Sequence, residues 1–138
     1  MDDATRLRTA GLRVTAARLA ILEVIRTGDH LDVDAITRQV RARTGRVTMQ
    51  AVYDAVSAMT RAGIIRRIEP AGHPARYEAR VGDDHHHVVC RGCGAVADVD
   101  RVAGHALCLR PASDTGFLVD EAEVTFWGIC PRCASRDS

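Results

Sequence analysis

Four of the five cysteines stand in two Cys-x-x-Cys pairs, Cys90/Cys93 and Cys130/Cys133, separated by 36 residues. Two such pairs supply four thiolates, a ligand set that suits tetrahedral zinc. A disulfide framework is disfavoured because the cysteine count is odd and the chain shows no export signal. A thioredoxin-like dithiol needs one such pair after a strand, not two distant ones. We therefore predict a structural zinc site, with Cys108 left over as a small buried apolar residue.

Three consecutive histidines, His85, His86 and His87, directly precede the first cysteine pair. Alternate residues of a strand share a face, so His85 and His87 can point at one metal while His86 points away. Neutral imidazoles bind several metals, and nearby carboxylates favour harder ions such as Fe(II) or Mn(II). Because the run lies between an acidic turn and a cysteine pair, we favour metal ligands over solvated surface residues.

The sequence lacks the common motifs of metal-dependent and nucleophilic enzymes. The chain has no His-Glu-x-x-His and no Gly-x-Ser-x-Gly, and Cys130-Pro131-x-Cys133 lacks the His-x-Glu of the zinc deaminases. All 19 basic residues are arginine, which excludes a catalytic or P-loop lysine. A zinc-dependent or thiol redox enzyme using Cys90 and Cys93 or the histidines remains the alternative.

The first half of the chain, which must position any partner of these sites, has a helical pattern. Predicted helices span 2–10, 15–27, 32–43 and 48–62, with Thr15, Thr48 and either Asp32 or Asp34 as N-caps. In the fourth helix Met49, Val52, Val56 and Met59 form a core stripe. Predicted strands at 64–69 and 75–80 follow. Helices followed by a hairpin are typical of a winged helix-turn-helix.

The second half is predicted to be mixed. It has strands at 85–90 and 95–99, a helix at 101–109, and strand-like runs at 117–119 and 124–127. We place the boundary at an acidic linker around Gly82, which gives domains 1–81 and 82–138.

Charge is divided between these halves. Residues 1–80 hold 14 Arg and 9 acids, a net +5, and residues 81–138 hold 5 Arg and 9 acids, a net −4. A basic first half fits nucleic acid, and an acidic second half fits metal cations. The acidic N-terminus and the lack of a long apolar run disfavour secretion and a membrane partner.

The sequence resembles the ferric uptake regulator family, and in particular its actinobacterial branch. The resemblance covers nearly the whole chain and is carried by these segments: Gly11-Leu12-Arg13-Val14-Thr15 with Arg18, Gln50-Ala51-Val52-Tyr53-Asp54, Ala75-Arg76-Tyr77-Glu78, His85-His86-His87-x-x-Cys90-x-x-Cys93-Gly94, and Trp127-Gly128-x-Cys130-x-x-Cys133. It implies an α+β protein with an N-terminal winged helix-turn-helix DNA-binding domain and a C-terminal α/β dimerisation domain with a four-cysteine zinc site.

The resemblance also implies two further sets of metal ligands. The regulatory metal would bind residues of both domains, namely His30, Glu78, His85, His87 and Asp98. A further site would use Asp84, His86 and His105. Its fourth position falls on Ala122, beside Glu121 and Glu123 as possible substitutes.

DNA-binding residues carry over by position as well. These are Arg13 for a narrow minor groove, Arg18 and Arg46 for phosphates, and Gln50 and Tyr53 for the major groove. Many relatives have Arg where this chain has Asp54, which removes a contact and adds a repelling charge. The sequence thus predicts a cytoplasmic homodimeric repressor of iron-homeostasis or catalase-peroxidase genes. As the resemblance implies, its operator would be double-stranded DNA, its zinc would be structural, and Fe2+ or Mn2+ would regulate it.

Overall fold

The computed structural model describes residues 2–79, 86–100, 115–118 and 123–136. Contacts divide the chain into two compact units, Met1–Gly82 and Asp83–Ser138, here called the N-terminal and C-terminal units. The predicted linker, the predicted helix 101–109 and the predicted domain boundary lie outside the described residues.

Four helices form most of the N-terminal unit: α1 (Asp3–Thr9), α2 (Ala16–Thr27), α3 (Val33–Thr44) and α4 (Met49–Arg61). Each follows a residue whose side-chain oxygen accepts a hydrogen bond from a backbone N–H three residues on. Those caps are Asp2, Thr15, Asp32 and Thr48. The predicted N-caps Thr15 and Thr48 are confirmed, and of the two candidates for α3 the cap is Asp32 and not Asp34. Caps of this kind satisfy N–H groups that have no partner within the helix.

A core of fourteen buried residues packs the four helices together. Val52, Val56 and Met59 of α4 are fully buried, as their spacing predicts. Met49 is 45% exposed, so its place in the predicted core stripe is wrong. Met49 is the first residue of the helix and lies almost a full turn before Val52, beyond the edge of the core.

A small antiparallel sheet completes this unit: β1 (Leu31–Asp32), β2 (Arg66–Ile68) and β3 (Arg76–Glu78), in the order β1-β3-β2. Strand β2 begins later than predicted, because Ile65 is buried in the helical core and Ile64 packs against it. Strand β3 is also shorter than predicted. The sequence analysis missed β1. Helices followed by this hairpin form a winged helix-turn-helix, as predicted.

The C-terminal unit contains β4 (His86–Cys90), β5 (Val96–Val99), β6 (Thr125–Gly128) and the short helix α5 (Pro131–Arg136). In the sheet order β5-β4-β6, β4 pairs antiparallel with β5 and parallel with β6. The sequence analysis did not predict α5. The prediction of a strand that begins at Phe117 is wrong. Phe117 and Leu118 follow Gly116, which has a positive φ, and both are exposed and lie outside any strand.

In the part of the chain that the structure describes, no helix has the length and apolar character needed to cross a bilayer.

Candidate metal centres and nucleic-acid interface

The two cysteine pairs meet at one end of the C-terminal sheet. Cys90 ends β4, Cys93 lies in the turn after it, Cys130 precedes α5 and Cys133 lies within α5. Their four Sγ atoms all lie within 4.8 Å of one another, and those of Cys93 and Cys130 are 3.8 Å apart. A disulfide needs about 2.0 Å between sulfurs, so this last pair is not bonded. The sequence predicted that these four thiols gather, and they do.

The spacing of the sulfurs fits a tetrahedral zinc ion. Zinc bound to four thiolates at about 2.3 Å holds the sulfurs about 3.8 Å apart. Gly92 keeps the cluster open, because a Cβ there would lie 3.2 Å from Sγ of Cys133. All four positions are thiols, which leaves no place for substrate and is typical of a structural site.

Backbone N–H groups prepare the cluster for a cation. The N–H of Cys130 donates to Sγ of Cys90 at 3.2 Å, and the N–H of Cys133 donates to Sγ of Cys130 at 3.4 Å. Hydrogen bonds from the backbone of Cys130 and Cys93 lower the pKa of Cys90 from 9.0 to about 6. The neighbouring thiols, that of Cys130 above all, raise the pKa of Cys133 to about 12. Without a cation, the four thiols therefore cannot all ionise near neutral pH.

In the N-terminal unit, His30 and Glu78 form a buried pair. His30 stands between α2 and β1 with a positive φ of 53°, and Glu78 ends β3. Nε2 of His30 lies 2.9 Å from Oε2 of Glu78, and Nδ1 lies 2.8 Å from Oδ1 of Asp29. The Arg76 guanidinium donates to the His30 carbonyl at 2.9 Å. His30 and Glu78 are each only 5% exposed, so His30 is not an ordinary surface-loop histidine.

In the C-terminal unit, His87 is fully buried between two carboxylates. Its register partner across β4 and β5 is Asp98, whose Oδ1 lies 3.4 Å from Nε2. Glu123 approaches the other ring nitrogen, with Oε1 2.9 Å from Nδ1. The sequence predicts Glu123 only as a possible substitute at the further site, and this contact with His87 is not among its predictions. The position of Glu123 just before β6, which runs parallel to β4, is the signal that could have found it.

His86 has a different environment from His87, as strand alternation predicts. Its Nδ1 accepts a hydrogen bond from the N–H of Val124 at 2.9 Å. The other predicted ligands His85, Asp84 and His105, together with Cys108, Glu121 and Ala122, lie outside the described residues.

Helix α4 presents a polar face to solvent. Gln50, Tyr53 and Asp54 are exposed on it, while Val52, Ala55 and Val56 are buried behind them. Tyr53, 51% exposed, borders a cavity of about 480 Å³ that Gln50, Met49 and Arg67 also line. The helix therefore combines a buried stripe that fixes it to the core with an outer face free to read a ligand.

The three predicted DNA-binding arginines belong to the N-terminal unit, as α4 does. Arg13 and Arg46 are exposed, and Arg18 is half-buried. Nη1 of Arg18 donates to the carbonyl of Arg13 at 3.0 Å, so Arg18 supports the backbone that carries Arg13. Arg46 lies just before α4, beside a second cavity of about 440 Å³.

A winged helix-turn-helix followed by a small sheet with a four-thiol cluster defines a class of proteins, the metal-responsive transcriptional regulators. The chain belongs to the ferric uptake regulator family, whose model matches residues 9–126. It is 52% identical over 137 residues to "Transcriptional regulator FurA" of Mycobacterium tuberculosis, which covers 99% of this chain and 93% of that protein. This similarity confirms the predicted actinobacterial branch and favours a regulator over the enzyme alternative.

Solved structures agree on the fold. The Vibrio cholerae ferric uptake regulator matches 94% of this chain and 100% of its own with a TM-score of 0.72 at 23% identity. The Helicobacter pylori ferric uptake regulator, described as having three functional metal-binding sites, matches 97% of this chain and 90% of its own, with a TM-score of 0.72 at 18% identity.

Proposed function

We propose that the protein is a metal-dependent repressor that binds operator DNA as a homodimer in the cytoplasm. The main support for the proposal is that both units of the chain contain nitrogen and oxygen atoms that can bind a metal. The N-terminal unit holds one imidazole–carboxylate pair, His30 with Glu78, and the C-terminal unit holds another, His87 with Asp98. The DNA-reading helix belongs to the first of these units.

A regulatory metal bound by both pairs, with His85, would act as a conformational switch. An ion with ligands in both units stabilises the arrangements of the units that satisfy all its ligands, and it shifts the population toward them. DNA binding then depends on the metal if that arrangement is the one that fits the operator. Glu123 supports this role, because a carboxylate on the far nitrogen of a ligating histidine fixes its orientation.

The two kinds of ligand set suggest two kinds of metal. Thiolates suit zinc, so we assign Zn2+ to Cys90, Cys93, Cys130 and Cys133. Two or three imidazoles with carboxylates suit Fe2+ or Mn2+, and we assign one of these to the regulatory site. His86, whose Nδ1 accepts a hydrogen bond from Val124, would use Nε2 to bind a further metal with Asp84 and His105.

On DNA, α4 would enter the major groove. Gln50 matches the donor and acceptor pattern of adenine, and Tyr53 can contact a thymine methyl or a phosphate. Arg13 would enter a narrow minor groove, and Arg18 and Arg46 would contact phosphates. The positive charge of residues 1–80 supports this arrangement.

The exposed edge strand β6 supports a homodimer. In the described part of the C-terminal sheet β6 is an edge strand, and Phe126 and Trp127 remain 39% and 37% exposed. An unpaired strand edge with apolar side chains is a template for a second strand. A dimer would also match the two-fold symmetry of a palindromic operator. The target genes we propose are those of peroxide defence, such as catalase-peroxidase, or of iron homeostasis.

A metal titration of DNA binding tests the proposal. Gel shifts with the DNA upstream of its own gene should show binding that strengthens with Fe2+ or Mn2+. His87→Ala and the milder Asp98→Asn should keep zinc and a folded dimer but lose the metal response. Glu69→Gln, in the wing and outside both pairs, is the matched control. The proposal is contradicted if no metal strengthens DNA binding. It is also contradicted if both ligand variants keep the wild-type response to metal.

A further inference from the structure

Two polar side chains on the exposed face of α4 are bonded to each other. Nε2 of Gln50 donates a hydrogen bond to Oδ1 of Asp54, one turn further along the helix, at 2.8 Å. Both side chains are exposed, and Thr48 caps the helix just before them. The contact therefore lies on the outer face of the helix that the proposed function places in the major groove.

The chemistry of this contact fixes which way the Gln50 amide points. An ionised carboxylate can only accept hydrogen bonds, so the NH2 group of Gln50 must face Asp54. One of its two N–H hydrogens is then used, and the amide cannot turn over without placing its oxygen against the carboxylate. The carbonyl oxygen Oε1 and the second N–H hydrogen remain for another partner.

That remaining pair matches one base better than the others. In the major groove adenine presents the N6 amino donor beside the N7 acceptor, which Oε1 and the N–H of Gln50 complement. Guanine presents two acceptors, O6 and N7. An amide held in this orientation would place Oε1 against O6 and bring the Asp54 carboxylate close to the same edge.

We infer that Asp54 is a positioning residue for base recognition, which holds Gln50 in the orientation that accepts adenine and rejects guanine. The inference rests on the proposed function, since it requires α4 to read DNA. It revises the sequence expectation that Asp54 only removes a contact and repels DNA. Repulsion of phosphates persists, so Asp54 weakens binding to every sequence while it sharpens the choice of base.

A different role for the same contact makes a different prediction. A Gln–Asp pair at this spacing also stabilises a helix slightly. If that were its whole role, removing Asp54 would change binding to all DNA sequences by the same factor. The base preference is therefore the readout that separates positioning from helix stabilisation.

The test uses the full-length metal-loaded protein and its own upstream DNA. Each adenine of the binding site is replaced in turn by guanine, and by 7-deazaadenine, which lacks the N7 acceptor. The position that Gln50 contacts is the one at which the wild type prefers adenine to its replacements and Gln50→Ala shows no such preference. Asp54→Asn and Asp54→Ala are then compared there with Glu23→Gln, which removes an acid from α2 without touching α4.

We expect Asp54→Ala to lose about 5- to 150-fold of the preference for adenine over guanine, the range of one bidentate base contact. Asp54→Asn should lose less, because its amide oxygen can still accept a hydrogen bond from Gln50. The affinity of both variants for an unrelated duplex should stay equal or rise, because a negative charge near the phosphates has gone. Glu23→Gln should keep the wild-type preference. Because Asp54 is exposed, melting curves should show that all variants remain folded.

Three results would overturn the inference. If the wild type prefers adenine to guanine and Asp54→Ala keeps the same preference, only the positioning role fails. Cytosine is also placed at this position, and if the wild type binds it more tightly than adenine while Asp54→Ala does not, Asp54 itself contacts the N4 amino group. If the wild type binds no DNA sequence specifically under any metal, the proposed function fails and the inference falls with it.

Discussion

Replacing Cys93 by serine should unfold the C-terminal unit while leaving the N-terminal unit folded. Cys93 is exposed, so the serine neither opens a cavity nor buries a polar group, and the lost zinc ligand is the main change. In the described part of this unit, the buried apolar residues are Val89, Cys90 and Val96. A buried valine contributes about 1.5–3 kcal/mol.

Zinc bound at the four thiols, as proposed, would contribute more free energy than these side chains do. A structural zinc site contributes about 10–16 kcal/mol, comparable to the entire stability of a typical domain. Loss of one thiolate should therefore remove more free energy than the few apolar side chains can replace. The N-terminal unit has its own core of fourteen buried residues and does not depend on the thiols.

Two spectroscopic signals separate the units. Trp127, the only tryptophan of the chain, lies in β6, so its fluorescence reports on the C-terminal unit. Four of the five helices in the described residues belong to the N-terminal unit, so far-ultraviolet circular dichroism reports mainly on that unit. In Cys93→Ser the fluorescence transition should move to lower temperature or vanish, while the helical transition persists. Cys108→Ser, outside the two pairs, is the matched control.

Metal analysis accompanies the melting curves. The wild type and Cys108→Ser should each bind one zinc per chain in this cluster, and Cys93→Ser should bind none tightly. The reasoning is refuted if Cys93→Ser keeps the wild-type fluorescence transition after its zinc has been lost.

Further predictions concern the core and the cap of one helix. Met59→Ala should destabilise the N-terminal unit by about 2–5 kcal/mol, and the exposed Met49→Ala by less than about 0.5 kcal/mol, as measured by denaturant titration. Thr48→Ala should cost about 1 kcal/mol through the lost cap of α4, also by denaturant titration; an unchanged midpoint would contradict the capping role.

Sequence patterns predicted the elements that local chemistry determines. Thr15 and Thr48 cap their helices because a hydroxyl oxygen can accept from the backbone three residues on, a property visible in the sequence. The buried stripe of α4 follows from helical spacing, except at Met49, where the core ends. The spacing of two Cys-x-x-Cys pairs was likewise sufficient to predict one four-thiol cluster.

Features that depend on pairing between distant segments were harder to predict. The two-residue strand β1 exists because Leu31 and Asp32 pair with Tyr77 and Arg76, which no local pattern shows. The contact of Glu123 with His87 depends on the parallel register of β6 beside β4. The bond between Gln50 and Asp54 could have been predicted, since residues four apart on a helix are neighbours. The expectation for Asp54 was instead a lost contact and a repelling charge.

Strand β4 joins two kinds of chemistry within five residues. His87 near its start and Cys90 at its end are about 10 Å apart along an extended chain. Hydrogen bonds to β5 on one side and β6 on the other hold both residues in one register. If metals bind at both places, as proposed, occupancy of the thiol cluster and metal affinity at His87 would be thermodynamically coupled, and the coupling would act equally in both directions. A preparation that has lost zinc, or whose thiols have been oxidised, would bind the regulatory metal more weakly at His87, although no residue near His87 had changed.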